Sequence, residues 1–320
     1  MFKRHLKIIM NKKKILIIGS TGFVGRKLNL YLKNKNYSVF GFSKSTGVNL
    51  LNQKHVEKKL ASIKPEYIIN CAANTGSLHY VIRNSADIVH DNLVSTLNIY
   101  NAAKKLKKRP VIINLLANCS YDGNAKIQKE NLWWKGMPHK SALSFGASRR
   151  LTHVISEGFL SQYKIISKNF IIPGIYGPGN HLDTEKVHAL DGLIIRMINA
   201  KSSNASKFYI WGTGKPIREW CYIDDLIKFI EVCIKTKKKL IYPINLGQKK
   251  GYSIKFLAKL ISKEIKFKGK IVYDKKYQDG APIKILDNSN FKKTFRNFKF
   301  TEIKKGIKKS IDYYNKIIKV

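Results

Sequence analysis

The sequence predicts an α/β protein with a doubly wound parallel sheet and a smaller C-terminal domain. Apolar segments of strand length alternate with helical segments over residues 1–177, which is the spacing of βαβ units. A glycine-rich turn follows the first apolar segment directly. After Gly177, loops and short strands replace this alternation, which favours a second domain at the carboxyl edge of the sheet, where ligands bind in such folds.

The composition supports a folded core and argues against a nucleic-acid-binding protein. Of the 320 residues, 44% are hydrophobic and 11% are aromatic, which is typical of a globular protein. The formal charge is +41, but only nine of the 61 basic residues are arginine, the residue that most often reads base edges. We interpret the lysines as a solvated surface that attracts anionic ligands, and we expect no nucleic-acid partner.

The cysteines and the hydrophobic pattern exclude other classes of protein. The four cysteines form no CxxC pair, so a metal site and a disulfide framework both lack support. Residues 1–12 are basic, but their apolar run is too short for a signal peptide, and we interpret them as an N-terminal extension. No apolar run reaches the roughly 18 residues of a membrane span. We expect a cytoplasmic protein with no membrane partner.

The first half is predicted to contain five strands separated by helices. The unbroken apolar run Ile15–Ile18 is typical of a parallel strand that is buried on both faces. A helical segment around residues 92–106 separates the third strand from the fourth. The predicted strand segments are "KILII" (14–18), "YSVFGFS" (37–43), "PEYIINCAA" (65–73), "PVIINLLANCS" (110–120) and "SKNFIIPGIYGPG" (167–179).

The second half is predicted to be a mixture of helices and short strands. Residues 181–200 read as a loop followed by a helix, and residues 252–265 as an amphipathic helix. Between them, residues 207–226 read as a strand, a glycine turn and another short strand. This half is predicted to form the smaller domain.

A glycine motif predicts the ligand of the first domain. Gly19, Gly22 and Gly25 form GxxGxxG between the first strand and the first helix. Glycines at this spacing permit a tight turn, close approach of a pyrophosphate and helix–strand packing, with phosphate at the helix N-terminus. The motif predicts a Rossmann-type domain that binds a dinucleotide. We assign to it residues 13–177 and 217–246, and to the smaller substrate-binding domain residues 178–216 and 247–320.

The segment after the second strand favours NADP over NAD. It contains no acidic residue that could bind the adenosine ribose hydroxyls of NAD. Ser43, Lys44 and Ser45 could instead bind a 2′-phosphate. NAD stays possible, since these residues could also form an ordinary exposed polar loop.

Several motifs in order along the chain resemble one family. From about residue 13 onwards the sequence is similar to the GDP-L-fucose synthases, extended short-chain dehydrogenases/reductases of the NAD-dependent epimerase/dehydratase family. Members epimerise C3 and C5 of a GDP-4-keto-6-deoxy-mannose and reduce C4 with NADPH. The glycine motif is shared by many other proteins, whereas residues 211–225 are the most specific match. The matching motifs are "NLLN" (49–52), "CAANTGSLHY" (71–80), "LLANCSYDG" (115–123), "IYGPG" (175–179), "WGTGKPIREWCYIDD" (211–225) and "DGAPIKILD" (279–287).

The resemblance implies binding residues for a nucleotide sugar, with GDP as the expected nucleotide. Arg196 and Arg218 match residues that hold the nucleotide diphosphate, a role that suits guanidinium because it pairs bidentately with phosphate oxygens. Trp211 and Lys284 match other substrate-contacting positions, although Trp211 could also be a core aromatic. The predicted cofactor-binding residues are Gly19, Thr21, Gly22, Phe23, Val24, Gly25, Ser43, Lys44, Ala72, Ala73 and Arg149.

The resemblance also implies an acid–base pair for epimerisation. Cys119 and His188 lie at the family's positions for the two groups that work on opposite faces of the sugar ring. A thiolate is a competent base when a nearby cation lowers its pKa, and a histidine that titrates near neutrality is a suitable partner. The alternatives are that Cys119 is a small core residue and that His188 is merely exposed.

The residues of hydride chemistry depart from the family pattern. The family uses serine, tyrosine and lysine, and the matching positions are Ala117, Phe145 and Arg149. A phenyl ring cannot donate a proton, and loss of a positioned general acid costs roughly 10²–10⁴-fold in rate. Arg149 keeps the positive charge and could still hold ribose hydroxyls. No nearby serine or tyrosine is a persuasive substitute, although a shift of one residue in the alignment stays open.

We therefore expect an NADP(H)-binding nucleotide-sugar epimerase whose C4 reduction is weak or lost. One alternative is a full epimerase/reductase with an unconventional proton donor. Another is a non-catalytic protein that binds a nucleotide sugar. The resemblance further implies a homodimer and a place in polysaccharide precursor synthesis.

Overall fold

The computed structural model describes residues 12–183, 186–236 and 242–318, and most of the predicted N-terminal extension lies outside them. Within this part of the chain, a six-stranded parallel sheet has the order β2-β1-β3-β4-β5-β9. This sheet confirms the predicted doubly wound α/β fold of the Rossmann type. The strands are β1 Lys14–Ile18, β2 Ser38–Phe42, β3 Tyr67–Asn70, β4 Val111–Ala117, β5 Ser167–Ile172, β6 Gly174–Tyr176, β7 Lys207–Trp211, β8 Ile217–Tyr222, β9 Ile244–Asn245, β10 Gly251–Ser253, β11 Lys270–Asp274 and β12 Ile283–Lys284.

Helices cover both faces of this sheet. The side chains of β1 alternate between two hydrophobic clusters, Ile15 and Ile17 in one and Leu16 and Ile18 in the other, and all four are fully buried. This is why residues 15–18 of the first strand contain no polar side chain. The helices are α1 Phe23–Asn34, α2 Gln53–Ile63, α3 Leu78–Arg83, α4 Ser85–Lys104, α5 Leu143–Tyr163, α6 Ala189–Ser202, α7 Ile223–Lys235, α8 Ile254–Ile265, α9 Ser289–Thr294 and α10 Ile303–Ile318.

The predicted fifth strand is two strands in the structure. β5 stays in the large sheet, and after Pro173 the chain continues as β6, which pairs with β8. Proline has no N–H to donate to a sheet ladder, so the change of sheet falls where a strand is easily interrupted.

The smaller sheets are built mainly from the second half of the chain. β8 pairs with β10 and β12 as well as β6, and β7 pairs with β11. The two-residue β9 returns to the large sheet beside β5. The division of the chain into the two domains predicted above remains a proposal.

The glycine turn after β1 is shaped by close backbone contacts. Gly19 has φ +77°, and a Cβ there would lie 2.8 Å from the backbone nitrogen of Ala72. A Cβ on Gly25 would collide with the carbonyl oxygen of Gly19. Both positions therefore require glycine for the fold itself. Gly22 is different, since its φ is −72° and its Cβ would lie 3.3 Å from the Gly19 oxygen.

Two further features concern membranes and metals. In the part of the chain that the structure describes, no helix is long and apolar enough to cross a bilayer. Among the same residues, no group of three His, Cys, Asp or Glu side chains is arranged to hold a metal ion.

Candidate functional site

A cavity of about 720 Å³ lies where the carboxyl ends of β1, β3 and β4 face the smaller sheets. It brings together residues that are more than 250 positions apart in the chain. Of the predicted site residues, it is lined by Gly19, Gly22, Phe23, Val24, Ser43, Lys44, Ala72, Ala73, Ala117, Cys119, Phe145, Arg149, His188, Arg196, Trp211, Arg218 and Lys284.

Two predicted cofactor residues do not line this cavity. Gly25 packs beneath the turn, against the carbonyl of Gly19. The Thr21 hydroxyl is 2.8 Å from the Ser45 hydroxyl, so it joins the glycine turn to the segment after β2. Gly25 and Thr21 therefore support the cradle from outside the cavity wall.

One end of the cavity has the properties of a phosphate cradle. Gly22 is the N-cap of α1, and the first turn of this helix contains no acidic side chain. The unpaired N–H groups and the dipole at a helix N-terminus favour a phosphate there. The residues present at this end therefore fit the pyrophosphate of a dinucleotide.

The segment after β2, where a 2′-phosphate site is predicted, forms a capped turn at the cavity. Ser43 is buried, and its hydroxyl oxygen accepts a hydrogen bond from the Thr46 backbone N–H at 3.3 Å. In return, the Ser43 backbone N–H donates a hydrogen bond to the Thr46 hydroxyl oxygen at 2.9 Å, so the two residues form a reciprocal cap. Ser43 thus stabilises a turn as well as lining the cavity, and Lys44 is exposed on the cavity wall.

The opposite end of the cavity contains an aromatic cluster around Trp211. The Trp211 ring stacks on the Tyr277 ring with centroids 5.1 Å apart, and His79 meets both rings edge-on. The Arg196 guanidinium lies 4.7 Å from the centre of the Trp211 ring. Trp211 is 44% exposed, which excludes the alternative that it is a buried core residue.

Arg218 and Lys284 form a cationic pair on neighbouring strands. They are directly opposite each other in the parallel pairing of β8 with β12. Burial lowers the pKa of Arg218 to about 10 and lowers the pKa of Lys284, which Arg218 depresses further. Asp279 partly compensates Arg218, but its carboxylate is also bonded to the backbone N–H and hydroxyl of Thr213, at 3.0 and 2.6 Å. Such a pair favours an anionic ligand.

Cys119 lies in the short turn that follows β4. A Cβ on Gly146 would lie 2.6 Å from the Cys119 carbonyl oxygen, so glycine lets α5 approach this turn closely. Burial raises the pKa of the thiol, and the nearby charges of Lys284 and Arg149 only partly offset this effect. The expectation of a thiolate stabilised by a cation is therefore corrected, because the cations are present but Cys119 is a thiol at neutral pH.

His188 precedes α6 and lies beside Phe23, with ring centroids 5.9 Å apart. Burial lowers its pKa to about 4, and His181 contributes to this shift. The imidazole is therefore neutral near pH 7, which corrects the prediction that it titrates near neutrality. His188 can accept a proton, and Cys119 can donate one.

The residues that match the family's serine, tyrosine and lysine of hydride chemistry also line the cavity. Ala117 ends β4, and Phe145 and Arg149 lie one turn apart on α5. The Arg149 guanidinium is 5.2 Å from the centre of the Phe145 ring. Its Nη2 donates to the Ala72 carbonyl at 2.9 Å and to Asn92 Oδ1 at 3.1 Å.

Three tyrosines that could be considered in place of Phe145 are engaged elsewhere, whereas Tyr277 lines the cavity and stacks on Trp211. The hydroxyl of Tyr31 donates to Glu231 at 2.6 Å, and that of Tyr100 lies 2.7 Å from the Ser167 hydroxyl. The buried Tyr121 donates to Asn245 at 2.8 Å. None of the three lines the cavity. Ser144 is buried outside it as well, which favours the alignment without a shift.

Sequence reasoning missed several residues of the cavity wall. His79, Tyr277 and Ser141 line the cavity, and Asn92 holds Arg149 from the neighbouring helix α4. Asn92 is a buried polar residue of a helix, and His79 lies in the motif of residues 71–80, so both had a signal in the sequence. The others have no local pattern, since only the folded chain brings them to the site.

The fold and the site define a dinucleotide-dependent enzyme of sugar nucleotides, and comparison with known proteins gives the family. The chain matches the model of the NAD dependent epimerase/dehydratase family over residues 15–247. It belongs to this family and is an enzyme of the extended short-chain dehydrogenase/reductase superfamily. The predicted resemblance is confirmed.

Among its relatives is a GDP-L-colitose synthase from Yersinia pseudotuberculosis, 30% identical over 94% of this chain and 97% of the relative. A GDP-L-fucose synthase from Dictyostelium discoideum is 26% identical over 95% of this chain and 96% of its own length. A solved structure of a GDP-mannoheptose C4 reductase from Campylobacter jejuni with NADP bound is 25% identical, with a TM-score of 0.82 over 95% of this chain and 98% of that chain.

Proposed function

We propose that this chain is an NADP(H)-binding epimerase of a GDP-linked 4-keto-hexose, acting at C3 and C5, with C4 reduction weak or lost. The proposal rests on the side chains that line one cavity. Cys119 and His188 line it together with the cations Arg218 and Lys284, while Phe145 stands where the family has its proton-donating tyrosine. An acid–base pair and an anion site are retained, and the phenol is absent.

The neutral states of the pair suit proton exchange beside a ketone. His188 can take the proton from the carbon next to C4, because its imidazole is unprotonated. Cys119 can return a proton to the other face of the carbon, because its thiol is protonated. NADP(H) would supply hydride chemistry at C4, and Gly22, Lys44 and Arg149 are placed to hold it.

The choice of NADP(H) rests on the segment after β2 and on the relatives. The loop has no carboxylate, and Lys44 offers a positive charge on the cavity wall. The Campylobacter jejuni reductase named above has NADP in its structure. Both observations support NADP(H), with NAD as the alternative.

Replacing Gly22 with valine should weaken NADP(H) binding by about tenfold or more. The φ of Gly22 suits any residue and its Cβ would make a tight contact of 3.3 Å with the Gly19 oxygen, while the further atoms of valine would fill the space at the N-terminus of α1 that a pyrophosphate needs. Calorimetric titration with NADPH checks this, with a thermal melt to confirm folding. Unchanged affinity in a folded variant would contradict the cofactor assignment.

Replacing Arg218 with alanine should weaken GDP binding by about 10–100-fold, since charge-assisted hydrogen bonds contribute roughly 1.5–3 kcal/mol each. Arg196 and Arg218 are the predicted diphosphate clamp and both line the cavity, so loss of Arg218 removes one of its two guanidinium groups. Arg109→Ala is the matched control, because Arg109 bonds a backbone carbonyl away from the cavity. A variant at Arg218 that binds GDP as tightly as the parent would rule out the clamp.

The rate of C3/C5 exchange should be nearly constant between about pH 5 and pH 9. The pKa of His188 is lowered to about 4, so its base form is already complete above that range. The pKa of Cys119 is raised above that of an ordinary thiol, so its acid form persists across the range. Exchange measured by mass spectrometry over this range tests the assignment, and a steep rise between pH 6 and 7 would oppose it.

A second candidate is a full epimerase/reductase with an unconventional proton donor. It is favoured by relatives whose names include reduction, such as the C4 reductase from Campylobacter jejuni. A protein that binds a nucleotide sugar without catalysis is the remaining alternative. Deuterium exchange, NADPH oxidation and ligand binding separate the three.

We also propose a homodimer that forms through α4 and α5. Leu97 on α4 and Leu151 and Val154 on α5 are 39–47% exposed, and the two helices pack side by side. Burying these side chains against a second copy would remove apolar surface from water. Sedimentation equilibrium tests the dimer.

The cytoplasmic location and the place in polysaccharide precursor synthesis stay predictions, which cell fractionation and product analysis would test.

A further inference from the structure

Epimerisation beside a ketone needs more than a base and an acid. When the C3–H or C5–H bond breaks, its electron pair moves toward C4 and leaves negative charge on the C4 oxygen. A hydrogen-bond donor aimed at that oxygen is worth about 10²–10³ in rate. In this cavity Phe145 and Ala117 occupy the positions of the family's phenol and serine, so neither of them can be the donor.

Arg149 is a buried cation on the wall of the same cavity. It is 3% exposed, and no carboxylate among the described residues forms an ion pair with it. A buried charge without a counter-ion is costly, so a site that keeps one favours an anion beside it.

The guanidinium is oriented by contacts that leave part of it free. Its Nη2 donates to the Ala72 carbonyl and to the Asn92 side chain. The carbon of the guanidinium lies 5.2 Å from the ring centre of Phe145, the residue at the phenol position. Its charge also acts on the Cys119 thiol, which places it near the proposed acid–base pair.

We propose that Arg149 is a catalytic residue of the epimerisation, donating a hydrogen bond to the C4 oxygen and stabilising the enolate charge. This inference rests on the proposed function. His188 takes the proton as the C–H bond breaks, the electron pair forms the enolate, and Arg149 stabilises the charge on its oxygen. A new C–H bond then forms on the opposite face with the proton of Cys119, and the C4 ketone returns with no net oxidation or reduction. The imidazolium of His188 then loses its proton to water and the thiolate of Cys119 takes one from water, which restores the starting state of the pair.

An arginine in this place explains why exchange and reduction would separate. A guanidinium is a strong donor, but it gives up its proton with difficulty. It therefore stabilises an enolate, whose oxygen needs no proton. Hydride addition at C4 instead leaves an alkoxide, which must receive a proton, and a phenol supplies one more readily than a guanidinium.

The test compares Arg149→Met and Arg149→Lys with the parent. Each is incubated in D₂O with a GDP-4-keto-6-deoxy-hexose and saturating NADPH, and deuterium at C3 and C5 is measured by mass spectrometry. We expect Arg149→Met to lose about 10²–10³-fold in exchange rate. Arg149→Lys keeps the charge and should retain far more activity. Arg109→Lys is the matched control, since Arg109 bonds the Leu106 carbonyl outside the cavity and should leave exchange unchanged.

The outcomes separate this inference from the function on which it rests. Arg149→Met with the parent's exchange rate would overturn the inference alone. So would a loss that disappears as NADPH is raised, because Arg149 would then serve only to hold the cofactor. A parent that exchanges nothing would overturn both. If Arg149→Met does not fold, Arg149→Lys decides by the same measurement. A loss of about 10²–10³-fold in a lysine variant that still binds GDP would contradict a role for the charge.

Discussion

Replacing Cys119 with serine should lower the C3/C5 exchange rate by about 10²–10⁴-fold, the contribution of a positioned acid or base. The serine side chain fits the same turn after β4, but its hydroxyl is a much weaker acid than a thiol, so it is poorly able to donate a proton. Lys284 and Arg149, the cations beside Cys119, remain in place in this variant. Deuterium incorporation from D₂O measures the loss.

Cys71 provides the matched control for this prediction. It follows β3 and lines the same cavity, and burial raises its pKa to about 12. Cys71 has no role in the proposed proton transfer, so Cys71→Ser should keep the parent's exchange rate, and both serine variants should bind GDP as the parent does. If Cys119→Ser exchanges as fast as the parent, Cys119 is a core residue and the proposed acid–base pair is wrong.

The combined change Ala117→Ser, Phe145→Tyr and Arg149→Lys should produce NADPH-dependent reduction at C4. The three side chains line one cavity, with position 117 at the end of β4 and positions 145 and 149 one turn apart on α5. The restored phenol can deliver a proton to the alkoxide, with the lysine lowering its pKa. We expect a gain of about 10²–10⁴-fold over the parent, which is the effect of a general acid.

Single changes are the controls for this experiment. Groups that act as a unit are strongly non-additive, so Phe145→Tyr alone should recover only a small part of the activity. The absorbance of NADPH reports the reaction, and titrations with GDP and NADPH show that the binding sites are intact. A folded triple variant that binds both ligands without oxidising NADPH would mean that more than these three residues is missing.

The large sheet could be predicted because its strands and turn have local signals. The apolar run Ile15–Ile18 and the glycines after it contain the whole pattern of a buried strand that leads into a phosphate cradle. The two-residue β9 could not be predicted in this way, because so short a strand has no periodicity and is defined by its pairing with β5.

The candidate site was predictable where residues lie in ordered motifs. Arg218, Lys284 and Cys119 were found from such motifs and meet in one cavity. The contact of His79 with Trp211 and Tyr277 joins segments that are far apart in the chain, so no motif contains it.

Protonation states could not be read from the sequence. Residue types predict ordinary pKa values, whereas the shifts of Cys119 and His188 both come mainly from burial, which only the folded chain determines. The same limit applies to Ser43, because the sequence does not show that its hydroxyl forms a reciprocal cap with Thr46.

The central claim is that proton exchange at C3 and C5 is retained while reduction at C4 is not. The most direct measurement incubates the unmodified protein with a GDP-4-keto-6-deoxy-hexose and NADPH in D₂O, and follows deuterium by mass spectrometry and NADPH by absorbance in the same sample. We predict deuterium at C3 or C5 with little oxidation of NADPH. Rapid oxidation of NADPH would contradict the claim and point to another proton donor, and a bound ligand with neither exchange nor oxidation would make the chain a non-catalytic binding protein.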